Sequence, residues 1–99
     1  MTENNDKKKG KDDNTVYIGK KPSMSYVLAV VTQFSDGADE VEVKARGRAI
    51  SKAVDVCEIV KNKFVEESKI ADIQTGTEEL EGKDKEKVNV STIALTMRK

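Results

Sequence analysis

Apolar and polar positions change rhythm several times along the chain. Thr15-Val-Tyr-Ile-Gly19 is a short β-branched and aromatic run closed by a glycine, which predicts a strand leaving into a turn. Lys20-Lys21-Pro22 follows, and Pro22 suits the first turn of a helix, where its missing N–H needs no partner. Met24, Val27, Leu28, Val31 and Phe34 then recur at i, i+3, i+4, i+7 and i+10, predicting a core-facing helix over 23–35. Ser35-Asp36-Gly37 is turn chemistry, and Glu40-Val-Glu-Val-Lys-Ala45 alternates at period two, as a strand with one wet face does. After Arg46-Gly47-Arg48, helical spacing returns at Ile50, Ala53, Val54, Cys57, Val60 and Phe64, so a long amphipathic helix should run to about residue 65.

The last third is less regular. Lys69 to Thr77 reads as a strand in which Ile70 and Ile73 share a phase only if a bulge intervenes. Over residues 88–97 the apolar phase changes from Val88 and Val90 to Ile93, Leu95 and Met97; a bulge near Ser91-Thr92, or burial on both faces in turn, would produce that. Between these strands Glu78 to Lys87 is charged with Gly82 at its middle, the pattern of an exposed hairpin arm covering about 76–88. The order is βαβαββ, an α+β two-layer sandwich with two helices on one face of a four-stranded mixed sheet.

Composition sets the boundaries. The first fifteen residues contain only Met1 of the apolar set. Such a segment cannot offset its ordering entropy, so residues 1–14 should be a disordered charged tail and 15–99 the folded domain. A body of about 85 residues buries only about 60–65% of its unfolded surface, which favours a homodimer. The longest apolar stretch, Val27-Leu-Ala-Val-Val31, falls far short of the ~20 residues a membrane helix needs. The charged start has no apolar segment behind it and no small-residue cleavage site, so a cytoplasmic chain is expected. Cys57 is the sole cysteine and His is absent, which excludes an internal disulfide and the common zinc sets. The same shortage, with no Ser in a nucleophile elbow and with Asp39/Glu40 and Glu66/Glu67 consecutive and therefore divergent, speaks against an enzyme or a cofactor.

Charge changes the picture most. Eighteen Lys+Arg balance eighteen Asp+Glu, so the chain is no wholesale polycation. Yet residues 14–35 hold Lys20 and Lys21 with no acid, and residues 43–54 hold Lys44, Arg46, Arg48 and Lys52 with no acid. If the first two strands are parallel neighbours joined by a right-handed crossover, the loops carrying Lys20-Lys21 and Arg46-Gly47-Arg48 leave the same end of the sheet. Each opens a helix whose first amides favour an anion. Arg46 and Arg48 can fork onto phosphate oxygens, Lys20 and Lys21 act as point charges, and Gly47 allows close approach. The rival reading of each loop alone is a solvated basic turn. A nucleotide P-loop is excluded, because Gly19-Lys20-Lys21-Pro22 lacks the long glycine-rich run and the Ser/Thr after its lysine.

Val16-Tyr-Ile-Gly-Lys-Lys-Pro-Ser-Met-Ser-Tyr-Val-Leu-Ala29 and Val43-Lys-Ala-Arg-Gly-Arg-Ala-Ile-Ser-Lys-Ala-Val-Asp-Val-Cys-Glu-Ile-Val-Lys-Asn-Lys-Phe64 closely resemble the archaeal chromatin proteins of the Alba family, over about residues 15–99. The resemblance implies a fold like the C-terminal domain of bacterial translation initiation factor three and a homodimer binding double-stranded DNA and RNA. It also implies that Lys20 and Lys21 form the centre of the binding face and that Arg46 and Arg48 extend it along the backbone. The arm would carry Lys83, Lys85 and Lys87 toward the minor groove. Lys20 would be the acetylation position, with a lysine acetyltransferase and deacetylase as partners, and Asn62 and Phe64 would serve contacts between dimers. Phe64 reads equally well as core or dimer packing, and Tyr26 either as a phosphate donor or as a polar cap on the core. Unlike basic family members that coat DNA, this chain is neutral and interleaves Asp84 and Glu86 with its arm lysines.

The expected function is therefore a chromosome-associated protein gripping backbone phosphates of duplex DNA, and of RNA, more weakly or selectively than basic relatives. Backbone contacts carry no base identity, and the sequence offers no aromatic stacking platform for single strands. The alternatives are a dedicated RNA-binding protein and a protein-interaction module whose basic loops are incidental.

Overall fold

The computed structural model describes residues 14–82 and 84–99. Of the expected tail only Asn14 is among them, and its carbonyl accepts from Glu42 N at 2.8 Å. The elements are β1 (Thr15–Tyr17), α1 (Ser23–Ser35), β2 (Glu40–Arg46), a 3-10 turn (Gly47–Ala49), α2 (Ile50–Ile59), a π-helical turn (Val60–Phe64), β3 (Lys69–Glu81) and β4 (Lys87–Arg98). The strands form one mixed sheet in the order β1-β2-β4-β3. β1 runs parallel to β2 with Tyr17 beside Lys44, and β4 runs antiparallel to both β2 and β3.

Alternation along β2 and β4 aims Val41, Val43, Ala45, Leu95 and Met97 at the helices, where they pack with Val27, Val30 and Phe34 of α1 and with Ala53, Val56, Cys57 and Val60 near α2. Burial, with Glu58 adding to it, pushes the Cys57 thiol from about 9 up to about 12. It stays protonated and packs as a small apolar residue. No described helix is long and apolar enough to cross a membrane.

The buried stripes differ from the periodicity in three places. In α1 the core line is Val27-Val30-Phe34, while Met24 and Leu28 lie on an exposed flank. The apolar arc of this helix is wider than the sheet can cover. In α2 Val56 turns inward and Val54 outward. At its end Val65 N donates to Val60 O at 2.7 Å, five residues back, so the π turn inserts one residue into the helical phase. Val65 is thereby buried and Phe64 rotates out to 45% exposure.

The two strand ambiguities resolve in opposite ways. Ile70 pairs with Met97 and Ile73 with Leu95, with a register shift between Ile70 and Asp72, so the bulge in β3 is real and leaves both isoleucines on one face. β4 has no bulge at Ser91-Thr92: Ser91 opposes Thr77, and Thr92 opposes both Gly76 and Arg46 in unbroken register. Val88 and Val90 therefore lie on the face opposite Ile93, Leu95 and Met97, and Val88 stays exposed.

Candidate nucleic-acid interface

Parallel pairing of β1 with β2 decides where the basic loops go, because both chains leave the sheet at the same end. Ile18 N donates to Lys44 O at 2.9 Å, carrying the ladder one residue past β1 before Gly19-Lys20-Lys21 turns into α1. Two side chains hold that turn. The Tyr26 hydroxyl accepts from Gly19 N at 2.9 Å and from Lys21 N at 3.0 Å. Lys52 Nζ, one turn into α2, donates to Gly19 O at 3.1 Å and Lys21 O at 2.8 Å, with the Tyr26 ring centroid 6.0 Å away. A Cβ at position 19 would lie 3.2 Å from the Tyr26 hydroxyl, so glycine lets the loop close on the tyrosine. Four backbone groups of Gly19 and Lys21 are thus satisfied internally, while the Lys20 and Lys21 residues remain exposed.

This arrangement refines two sequence readings. Tyr26 packs its ring against the core, as one of the two readings had it, and its hydroxyl in addition clamps the loop. Lys52, counted there only as one of six bases, spends its ammonium on loop carbonyls. No short-range motif announces the role of Lys52, which lies 31 and 33 residues from its acceptors.

The second loop is turned by Gly47, whose φ of +59° puts it in the left-handed region that a side chain disfavours. Arg48 is exposed in the 3-10 turn. Arg46 is differently placed. Its guanidinium donates to Glu78 Oε1 at 2.5 Å, a pairing across the sheet from the base of the arm. Among the described residues no ion pair involves Lys20, Lys21 or Arg48, whereas Lys44 lies 3.9 Å from Glu42.

β2 ends opposite Thr92, but β3 and β4 continue as a two-stranded ribbon in which Thr77–Glu81 pair with Lys87–Ser91. The arm therefore projects from the same end as the basic loops. Lys87 opposes Glu81, and Lys85 sits at the tip with φ +65°. Five residues of strand past Thr92 place Lys87 roughly 17 Å beyond Arg46. Lys83 lies outside the described residues.

Asn62 and Phe64 belong to the π turn that follows α2, about 20 Å from Ile50 along the helical axis. There Asn62 Nδ2 donates to Glu58 Oε1 at 3.4 Å, and Lys61 also pairs with Glu58 at 3.4 Å. The structure thus gathers Lys20, Lys21, Arg46 and Arg48 at one end of the sheet, sets Lys85 and Lys87 out on an arm, and leaves Asn62 and Phe64 apart.

Known proteins resemble this chain in sequence and fold. The family model described as Alba matches residues 14–77. "DNA/RNA-binding protein Alba" of Methanocella arvoryzae is 51% identical over 88 residues, covering 89% of this chain and 92% of that protein. The protein of the same name in Methanococcus maripaludis is 54% identical over 88 residues, covering 88% and 99%. Among solved structures, Alba from Thermoplasma volcanium superposes with a TM-score of 0.82 at 48% identity, over 86% of this chain and 99% of that one. ALBA1 from Trypanosoma brucei superposes with a TM-score of 0.71 at 26% identity, over 87% and 68%.

Proposed function

The chain belongs to the Alba family, and from that premise we propose that it is a dimeric chromatin protein that binds duplex DNA, and RNA, through backbone phosphates. One observation carries the reading. Lys20, Lys21 and Arg48 are exposed, unpaired among the described residues, and delivered to one end of the sheet, the two lysines by a loop whose backbone Tyr26 and Lys52 already hold. Phosphate binding at such a place needs little further ordering, and preordered cations bind more tightly than mobile ones.

Arg46 joins this face by exchanging Glu78 for a phosphate. The arm lysines Lys83, Lys85 and Lys87 make a subsidiary contribution, because Glu81 opposes Lys87 and Asp84 and Glu86 lie between them. Lys20 is the acetylation site, since it is exposed and neutralising it would remove a central charge. A second subunit covers the apolar side chains that one chain leaves open, including Leu28 at 55% exposure, and Phe64 serves contacts between dimers. Chromosome association follows from the same affinity.

Binding to a duplex measured at several salt concentrations tests this. Lys20, Lys21 and Arg48 from two subunits give about six phosphate contacts and a log–log slope near −5. Arg46 adds little to it, because it exchanges one anion for another. A slope flatter than about −2 would mean fewer than about three phosphates and would remove the proposal.

A further inference from the structure

On the helix-free face of the sheet a hollow of about 650 Å³ opens beside the basic loops, a size typical of sites for small ligands. Small outward side chains make it. Ala94 lies between Lys44 and Gln74, and Thr92 lies between Arg46 and Gly76. A Cβ on Gly76 would come within 3.2 Å of Thr92 Oγ1, so the low floor at that point depends on glycine. Tyr17 walls the β1 side and is 70% exposed, a phenol ring that contributes nothing to the buried core.

Chemistry and position agree on an occupant. The exposed ring offers a π face, and Lys44 and Arg46 make the neighbouring wall cationic. Their present partners, Glu42 at 3.9 Å and the exposed carboxylate of Glu78, can be replaced by a phosphate. The hollow is also continuous with the basic end: Tyr17 and Ile18 lead directly into Gly19-Lys20-Lys21, and Arg46 belongs to both surfaces. A duplex keeps its base faces stacked inside, so only an unpaired nucleotide can use the ring.

We propose that this hollow binds an unpaired nucleotide, its base stacked on Tyr17 and its phosphate between Lys44 and Arg46. The inference rests on the nucleic-acid reading above and extends it to overhangs, bulges and loops. It runs against the sequence expectation of no stacking platform and makes Tyr17 that platform, its neighbours on the sheet coming from distant strands. Gln74 lines the same hollow, its amide donating to Asp72 Oδ2 at 3.3 Å, and base–aromatic stacking tolerates every base.

Fluorescence anisotropy with labelled U10, dT10 and a duplex of matched length, at one fixed salt concentration, tests it. Tyr17→Ala should weaken single-strand binding about fivefold or more, the effect of losing one stacked base. Tyr17→Phe keeps the ring and should stay within about twofold of wild type, and Ala94→Leu, which fills the floor, should weaken single strands as Tyr17→Ala does. Duplex affinity should change less than about twofold in all three variants, because the ring touches no paired base. A preference between U10 and dT10 identifies RNA or DNA as the source, and equal binding means that both sugars are accepted. The proposal is overturned if wild type does not bind the single strands, if Tyr17→Ala leaves their affinity intact, or if Tyr17→Ala weakens duplex and single strand equally. Absence of duplex binding with Tyr17-dependent single-strand binding would remove the duplex reading and leave this one standing.

Discussion

The Gly19–Lys21 loop and the β3–β4 arm both carry lysines from the same end of the sheet, yet they are built on opposite principles. In the loop, Tyr26 and Lys52 tie down four backbone groups and no described carboxylate pairs with the exposed lysines. In the arm, order comes from the strand ladder and each charge has an opposite close by: Glu81 across from Lys87, Asp84 and Glu86 flanking Lys85, and Glu78 turned back onto Arg46. The arm carries three lysines to the loop's two, yet it presents the weaker field to a phosphate. What distinguishes the two regions is the local balance of charge: among the described residues no ion pair holds Lys85 or Lys87 either, but acids alternate with them along the arm while none accompanies Lys20 and Lys21 in their loop.

The largest test of that contrast reverses the loop charges. Lys20→Glu with Lys21→Glu removes about four phosphate contacts from a dimer, which should flatten the salt slope by between three and four units and lower duplex affinity roughly a thousandfold at 0.1 M salt. An effect below tenfold in a folded protein would move the binding centre elsewhere. Next comes Tyr26→Phe, which deletes the acceptor of two backbone donors without touching charge. It should cost about fivefold in affinity at an unchanged salt slope, with faster amide exchange at Gly19 and Lys21. A changed slope would show that the hydroxyl meets phosphate directly.

Glu78→Gln should act in the opposite direction. Releasing Arg46 should raise duplex affinity about threefold, in line with an exposed ion pair of about 1 kcal/mol or less, and steepen the slope by between one and two units per dimer. No gain would mean that Arg46 already reaches phosphate without leaving Glu78. Smallest of all, Lys85→Ala with Lys87→Ala should change affinity less than about threefold, because their acidic neighbours already offset them. A loss as large as that of the loop lysines would erase the distinction between the two regions.

Much of this was legible in the sequence where information is local. The boundaries of α1, the alternation in β2 and the bulge demanded by Ile70 and Ile73 follow from periodicity, and the same-end placement of the two basic loops follows from the handedness of crossovers. What was hidden depends on register between distant segments. Glu78 reaches Arg46 only because β4 sits between their strands and sets both alignments. Lys52 reaches the first loop only because α2 starts beside it. The outward turn of Phe64 is hidden for another reason: a π turn adds a single residue, and no side chain in Val60–Phe64 signals it. In α1 the spacing showed an apolar helix correctly but not which edge of a broad stripe would be covered, since that depends on the width of the neighbouring layer.

β4 is one strand from Lys87 to Arg98, gripped on both sides over its second half and on one side over its first. Mechanically the arm is a cantilever whose clamped portion lies within the sheet, so it has no hinge at its root and can only flex along its length. A load at the tip would be felt as torque at Thr92, the residue shared by Arg46 and Gly76, and the arm would behave as a sprung gauge of fixed reach.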